Sequence, residues 1–319
     1  MQITKDKCQY RQTNIELLRI LAMLMIVLHH FAAHGGFGFE SALSIPRLWH
    51  NFILIGGKIG SNVFVLISGF FLINDTSSKL SATKVLKIWG QVFFYSSVIY
   101  LIYVGFTGSI SIKELIKAFM PITQRTWWFA SAYFVLFLIH LYLNAFLRSL
   151  NKREYQHAGK LAIIIMLMTY ASCVLFTLLG TKWPFFENHR TFFYGANKLP
   201  TFLTSVCLLI AFSNLKIGCT KWLNRISSAT FGVYLMHEHF ILRPILWKNI
   251  FHNASYQDSL LLIPYSIAVM IIVYGICTLI DLLRQRFIEQ IFMKSVDRNI
   301  EKVSELFDRV RALYKNPRK

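Results

Sequence analysis

The sequence predicts an all-α fold, a polytopic bundle of helices in a membrane, from its composition and from the length of its apolar runs. Apolar residues make up 55% of the 319 residues and charged residues only 15%, which is far from the mixture expected of a soluble domain. A helix needs roughly 20 mostly apolar residues to cross a bilayer. Residues 128–147, 161–179 and 260–280 meet this length without a single Asp, Glu, Lys or Arg.

Eight transmembrane helices are predicted, or ten if the segment between residues 180 and 199 contains further spans. The eight cover residues 14–33, 52–73, 88–106, 127–147, 161–180, 199–215, 231–247 and 260–283. From residue 291 onward, apolar residues recur at helical spacing between charged ones, which is typical of an amphipathic helix. The chain therefore divides into a transmembrane domain, residues 1–290, and a basic amphipathic tail in the cytoplasm, residues 291–319.

The formal net charge of +19 does not predict nucleic-acid binding, although basic patches bind phosphates in soluble proteins. Lys and Arg gather in the loops between apolar runs and in the C-terminal tail. This pattern is typical of cytoplasmic flanks, which also meet anionic lipids. We therefore predict a multi-pass protein of the cell membrane with both termini in the cytoplasm, with membrane lipids and no nucleic acid as partners.

Ionisable side chains inside a span are costly and often mark function, and the first predicted span carries three candidates. Glu16 and Arg19 lie three residues apart, so they share a helix face and can neutralise each other; such a pair can also be purely structural. His30 returns to within about 20° of the Arg19 face, about 16 Å farther along the axis. Imidazole can transfer protons near neutral pH or carry an acyl group, although an interfacial histidine can simply reach toward lipid headgroups.

A second group of ionisable residues lies in the predicted seventh span, where the sequence places His237, Glu238 and His239 in a row. His237 and Glu238 are candidates for a proton relay or for substrate binding, and interfacial placement without function is the alternative. A shared metal ion is not predicted, because residues two apart on a helix diverge by about 200°.

Four further candidates each have an ordinary structural alternative. Ser68 precedes Gly69, and small residues of this kind let membrane helices approach closely. Trp127 opens the fourth predicted span, where interfacial aromatic residues are expected in any case. Lys84 and Lys87 share a helix face before the third span; they can bind the phosphates of a nucleotide-bearing substrate, or they are a positive flank without function.

The motifs together resemble those of the acyltransferase-3 family of membrane acyltransferases. The first span of that family carries an Arg followed eleven positions later by a His, which Arg19 and His30 match. NVFVLISGFFLI resembles its second-span signature, and TWWFASAYFVLFLIHLYLN resembles its Trp-Phe segment. Its late Gly-X-Tyr-Leu-X-His segment is matched by Gly232, Tyr234, Leu235 and His237. One departure is that Lys84 and Lys87 stand where the family often has two arginines, which keeps the charge but loses bidentate phosphate geometry.

The resemblance implies an acyltransferase that uses acyl-CoA, with acetyl-CoA as the co-substrate. From the residue spacing, no metal is predicted. The acceptor would be a hydroxyl of a lipid-linked glycan or of an exported, cell-surface polysaccharide. In this scheme His30 is the base or an acyl relay, and Glu16 orients Arg19. The residues expected to hold the donor are Arg19, Lys84 and Lys87. The residues expected to bind the acceptor are His237, Glu238, Trp127 and Ser68.

Two other functions fit an intramembrane His and Arg. A transporter of a glycan or small solute also lines its path with such residues. A structural subunit of a polysaccharide assembly complex would need neither side chain for chemistry. Consumption of acyl-CoA with a modified sugar as product distinguishes the enzyme from both.

Overall fold

The structure is a computed structural model that describes residues 12–39, 43–73, 82–121, 127, 158–189, 192–193 and 198–299. These residues form helices and connecting turns, without a strand among them, which confirms the all-α prediction. Five of the helices are long and apolar enough to cross a membrane. They are Thr13–His34, Ile45–Phe71, Thr83–Thr107, Ile163–Gly180 and Leu262–Arg298.

Twelve α-helices follow one another along the described residues. In chain order they are α1 Thr13–His34, α2 Ile45–Ile73, α3 Ala82–Thr107, α4 Ile112–Phe119, α5 Ala158–Gly180, α6 Pro184–His189, α7 Leu199–Ser213, α8 Lys221–Ser228, α9 Thr230–His237, α10 Leu242–Pro244, α11 Leu262–Arg284 and α12 Gln290–Arg298. π-helical turns at Ile245–Ile250 and Gln285–Glu289 extend α10 and connect α11 to α12, and Asn253–Tyr256 is a 3₁₀ turn.

The chain forms two compact units. The first unit comprises Met1–Phe71 with Asn151–Thr278, and the second comprises Leu72–Leu150 with Leu279–Lys319. Helix α1 is the central element of the first unit, where it packs against α7, α8 and α9. Near its start, Asn14 donates hydrogen bonds from Nδ2 to the carbonyl oxygens of Phe212 at 2.8 Å and Ser213 at 3.2 Å. Both carbonyls lie in the last turn of α7, so the contact joins the start of α1 to the end of α7.

Helices α1 and α2 run antiparallel and approach closely at two glycines. A Cβ on Gly57 would lie 1.9 Å from Cβ of His29, and one on Gly60 would lie 2.7 Å from the carbonyl oxygen of Ala22. The ring of His29 is buried and donates from Nδ1 to the carbonyl of Leu54 at 3.1 Å. Glycine is therefore required at both positions for α1 to lie at its observed distance from α2.

The second unit contains a network of ion pairs that joins α3 to the end of α11 and to the π-helical turn after it. Asp281 accepts hydrogen bonds from Tyr95 Oη at 2.7 Å and from Arg284 Nε at 2.8 Å. Arg284 also contacts Glu289 at 2.8 Å, and Lys87 Nζ lies 2.6 Å from the other oxygen of that carboxylate. Asp281 is fully buried, so the network satisfies a charge that would otherwise be costly.

Five of the eight predicted spans correspond to the five long helices, and the predicted span 199–215 corresponds to the shorter α7. Apart from Trp127, the predicted span 127–147 lies outside the described residues. The predicted span 231–247 is wrong as a single helix, because α9 ends at His237 and the chain turns before α10 begins at Leu242. The helix that the structure describes up to Arg298 continues past residue 291, the predicted start of the tail.

Candidate functional site

An ion pair stands at the start of α1. Arg19 Nη1 lies 2.8 Å from Glu16 Oε2, as the spacing of three residues predicts. Glu16 is buried, and its carboxylate also accepts a hydrogen bond from Ser227 Oγ on α8. The Arg19 guanidinium lies 5.1 Å from the ring centroid of Phe71 on α2, a distance at which cation and ring attract. Two helices besides α1 thus help to hold this cation in place.

Four histidine rings cluster near the other end of α1. The ring of His30 lies 5.5 Å from that of His29, 5.4 Å from that of His34 and 5.0 Å from that of His237. His30 Nδ1 is 2.9 Å from His237 Nε2, a hydrogen bond between residues 207 positions apart in the sequence. His237 reaches His30 because α9 packs directly against α1.

Glu238, the residue directly after the end of α9, lies beside this pair. Its Oε2 atom is 3.3 Å from His30 Nδ1 and 3.4 Å from His34 Nε2. Its other oxygen accepts a hydrogen bond from Arg243 Nη1 at 2.8 Å. A single carboxylate, with its side chain 12% exposed, thus faces two imidazoles and one guanidinium.

The charges around Glu238 determine its protonation. Burial raises the pKa of this carboxyl, but the hydrogen bond and charge of His34, together with His237 and Arg243, more than offset the effect and hold the pKa below its usual range. Glu238 is therefore a carboxylate at neutral pH. A fixed negative charge beside His30 Nδ1 favours a proton on that nitrogen.

The hydrogen bonds assign the tautomers of both central histidines. His237 Nδ1 lies 2.6 Å from the carbonyl oxygen of Val233, and a carbonyl only accepts, so this nitrogen carries a proton. In neutral His237 the Nε2 atom then accepts, and His30 Nδ1 must be the donor. Neutral His30 consequently has its lone pair on Nε2, to which the described residues make no hydrogen bond. An imidazole that donates from Nδ1 and has an open Nε2 is arranged as a general base.

The same cluster has the composition of a metal site, and an ion bound to His30 Nδ1 would have to replace the proton assigned to that nitrogen. Among the described residues, ligand atoms of His30, His34 and Glu238 all lie within 4.8 Å of one another. The contacts of 3.3 Å and 3.4 Å to Glu238 are compatible with the separation of two ligands about 2.1 Å from one zinc ion. The sequence analysis weighed a metal site only at the three consecutive residues that begin with His237. It therefore did not predict that His30, His34 and Glu238 come together.

The structure brings together only part of the predicted acceptor set. His237 and Glu238 contact His30, whereas Ser68 lies toward the Arg19 end of α1, three residues before Phe71. Ser68 Oγ donates to the carbonyl of Phe64 in its own helix at 3.0 Å. An added Cβ on the adjacent Gly69 would meet nothing within 4 Å in the described structure, so the close approach of helices occurs at Gly57 instead.

Three predicted residues belong to the second unit. Lys84 is exposed on α3, and Lys87 contacts Glu289 there. Trp127 is 1% exposed. Their predicted parts in substrate binding stay predictions.

Two residues of the cluster were not among the predicted site residues. His34 follows His30 by one helical turn, a spacing that places both on one face and could have indicated it. Arg243 follows Glu238 by five residues across the break after α9, and no helical period predicts that contact.

A comparison with known families adds an independent observation. Residues 12–155 match the model of the acyltransferase-3 family, described as an acyltransferase domain. This segment is an acyltransferase-3 domain. The match agrees with the predicted family and, with the long apolar helices, supports a multi-pass membrane acyltransferase. No curated protein and no solved structure matches the chain.

The matched part of the acyltransferase-3 domain includes Arg19 and His30 but ends before His237 and Glu238. The two partners that orient His30 therefore come from a later part of the chain. Folding of the first unit joins them to the matched segment through the contact of α9 with α1.

Proposed function

We propose that the protein transfers an acetyl, or another short acyl, group from acyl-CoA to a hydroxyl of a cell-surface or exported polysaccharide. The observation that carries this proposal is the orientation of His30. Its Nδ1 atom is engaged by His237 and lies beside the Glu238 carboxylate, which leaves Nε2 as the proton acceptor. The acyltransferase-3 domain supplies the class of reaction.

The reaction that follows is a direct acyl transfer. His30 Nε2 takes the proton of the acceptor hydroxyl while the hydroxyl oxygen attacks the thioester carbonyl. The carbon–sulfur bond breaks, the CoA thiolate leaves, and the proton on His30 passes to the thiolate. The products are the sugar ester and free CoA. Glu238 stabilises the imidazolium that exists between these two proton transfers.

Transfer of the acyl group through His30 itself is the alternative use of the same atom. Nε2 would attack the thioester, and the acyl-imidazole would then react with the acceptor hydroxyl. The two routes differ in one observable. Only the relay releases CoA in a stoichiometric burst when the acceptor is absent.

Arg19 is proposed to hold an anionic part of the donor. A guanidinium forms strong, directional hydrogen bonds with phosphates, and the pairing of Arg19 with Glu16 fixes its position. His30 lies eleven residues farther along the same unbroken helix, about 16 Å along the axis. The pantetheine arm of acyl-CoA would extend along this distance. Lys84 and Lys87 are proposed as further contacts of the donor phosphates.

The proposal includes an orientation in the membrane. With both termini in the cytoplasm, the Arg19 end of α1 faces the compartment that contains acyl-CoA, and the His30 end faces the exported acceptor. The distribution of Lys and Arg between loops supports this orientation. A thioester donor is already activated, so the protein mainly has to position it, exclude water and accept a proton.

Purified protein in lipid nanodiscs provides the test. We expect release of free CoA from acetyl-CoA together with an O-acetylated sugar when extracted surface polysaccharide is added. His30→Ala should slow both by about 10²–10⁴-fold, whereas His189→Ala, which removes an exposed histidine on α6, should slow neither. Counterflow of unmodified saccharide in proteoliposomes, without CoA release, would instead establish a transporter. Absence of both activities would favour a structural subunit.

A further inference from the structure

A cavity of about 270 Å³ opens beside the histidine cluster, at the end of α1 that is distant from Arg19. Its lining includes His34, Gly36, Arg243 and Lys248. We propose that this cavity binds an oxyanion of the acceptor, a carboxylate or a phosphate, and so selects acidic glycans. This inference rests on the proposed function, because it names the class of acceptor for the same site.

The charge of the lining is the first argument. Two of the lining residues are cations, Arg243 and Lys248, and none is acidic. The carboxylate of Glu238 contacts two of the lining residues, Arg243 through one nitrogen and His34 through Nε2. That carboxylate also faces His30 and His34, so its single negative charge is shared among several positive or titratable groups. An anion that enters the cavity therefore meets a net positive field.

The position of Lys248 follows from local structure. It lies in the π-helical turn Ile245–Ile250, directly after Trp247. Trp247 is fully buried, with its ring 6.3 Å from that of His237 and 6.4 Å from that of Phe31. The buried Trp247 ring thus holds the turn against α1 and α9. Lys248 itself is exposed, so its ammonium is available to a ligand.

The turn after α1 forms another wall of the cavity. Gly36 has a φ of 77°, a conformation that glycine adopts without steric cost. A Cβ at this position would lie 3.8 Å from Cε of Lys248. The backbone of this turn and the stem of the lysine are therefore neighbours, and the cavity between α1 and the π-helical turn is part of the fold.

The distance to the proposed base connects the cavity to the reaction. His34 lines the cavity, and its ring lies 5.4 Å from the ring of His30. Arg19 and His34 are fifteen residues apart, about 22 Å along α1. An anion in the cavity thus belongs to a molecule near the base, whereas the donor phosphates are proposed to bind near Arg19.

Binding measured without acyl-CoA tests the inference separately from catalysis. The probes are methyl glucuronide and methyl glucoside, which differ by a carboxylate, titrated by saturation-transfer NMR into protein in phosphatidylcholine nanodiscs. We expect the glucuronide to bind about tenfold more tightly, the usual order for a hydrogen bond to a charged group. Lys248→Gln should remove that preference. Lys182→Gln, which neutralises another exposed lysine of the first unit, should preserve it.

Inorganic phosphate distinguishes the two kinds of oxyanion. Competition by phosphate against methyl glucuronide, lost in Lys248→Gln, indicates a site that takes either group; absence of competition restricts the site to carboxylates. Nanodiscs that contain phosphatidylglycerol test whether a lipid headgroup occupies the cavity, because the glucuronide would then fail to bind in them and bind only in the neutral ones.

Equal affinity for the two glycosides, or a preference that survives Lys248→Gln, would overturn the inference. Acyl transfer to a neutral polysaccharide with no such preference would refute the anion site alone and leave the proposed function standing. Conversely, anion binding that depends on Lys248 in a protein without acyltransferase activity would refute the proposed function and leave an anion site. The melting temperature of Lys248→Gln, compared with that of Lys182→Gln, controls for unfolding.

Discussion

The two ends of α1 are organised in different ways. At the first end, Arg19 is held by Glu16, three residues away on the same helix. At the second end, His30 is held by His237, 207 residues away on another helix, and by the neighbouring Glu238. The first arrangement has a local origin and fixes a charge that does not titrate near neutral pH. The second requires the folded unit and orients an imidazole, a group that can accept a proton.

This difference separates what the two ends contribute to function. A fixed guanidinium is suited to ground-state binding of an anion, which affects KM. An oriented imidazole is suited to proton transfer, which affects kcat. Variants at the Arg19 end should therefore change mainly KM, and variants at the His30 end should change mainly kcat. If both kinds of variant changed the same constant, this division of roles would be wrong.

The largest expected effect is that of His30→Ala. General-base catalysis typically contributes about 10²–10⁴-fold to rate, so kcat should fall by that range. The KM for acetyl-CoA should stay within a few-fold of the wild-type value, because the Arg19 end is unchanged. Steady-state release of CoA by the purified protein measures both. A kcat above one tenth of wild type would rule out His30 as the base.

A smaller effect of the other type is expected for Arg19. Hydrogen bonds to charged groups contribute about 1.5–3 kcal/mol, which corresponds to about 10–150-fold in binding. Arg19→Gln should therefore raise the KM for acetyl-CoA by about that factor and change kcat much less. Because this variant leaves Glu16 buried without its cation, Arg19→Gln combined with Glu16→Gln is the better measurement. An unchanged KM in the double variant would show that Arg19 does not bind the donor.

Glu238→Gln tests how much the contacts of the Glu238 carboxylate contribute to the stability of the fold. The contact with Arg243 should contribute about 1.5–3 kcal/mol. The lowered pKa of Glu238 means that this stabilisation is complete above the unfolded pKa, about 4.3, and is lost as pH falls through the folded value. The difference in melting temperature between wild type and variant should therefore have its largest value at pH 7 and should decrease below about pH 4. A difference that is independent of pH would contradict the assignment of Glu238 as the stabilising carboxylate.

The close approach of α1 and α2 is tested by a pair of glycine variants on one helix. An added methyl on Gly57 meets His29 at 1.9 Å, whereas one on Gly69 meets nothing within 4 Å in the described residues. Gly57→Ala should destabilise the protein by about 1–3 kcal/mol. Gly69→Ala should be neutral or slightly stabilising, since alanine is the better helix former. Thermal unfolding in nanodiscs measures both, and equal effects would refute this packing.

Sequence reasoning predicted well what depends on neighbours along one helix. The long apolar runs predicted five helices that the structure contains, and the spacing of Glu16 and Arg19 predicted their contact. Both follow from local rules, the length needed to span a bilayer and the period of the helix. The acyltransferase-3 motifs added the family, which the match to residues 12–155 confirms.

What sequence reasoning missed depends on contacts between distant segments. His237 and Glu238 were candidates, but no spacing could join them to His30. The predicted span 231–247 was wrong because apolar content alone does not reveal that α9 ends where Glu238 turns toward His30, His34 and Arg243. Ser68 was predicted to bind the acceptor together with these residues, yet the antiparallel run of α2 brings it to the Arg19 end.

The most direct test of the account is the O-acyl content of the surface polysaccharide from living cells. Cells that lack the protein should be complemented with wild type, His30→Ala or His189→Ala at equal expression. The account predicts that wild type and His189→Ala restore O-acyl groups and that His30→Ala does not. Full restoration by His30→Ala, or unchanged O-acyl content when the protein is absent, would contradict the claim that an imidazole oriented by His237 and Glu238 performs acyl transfer.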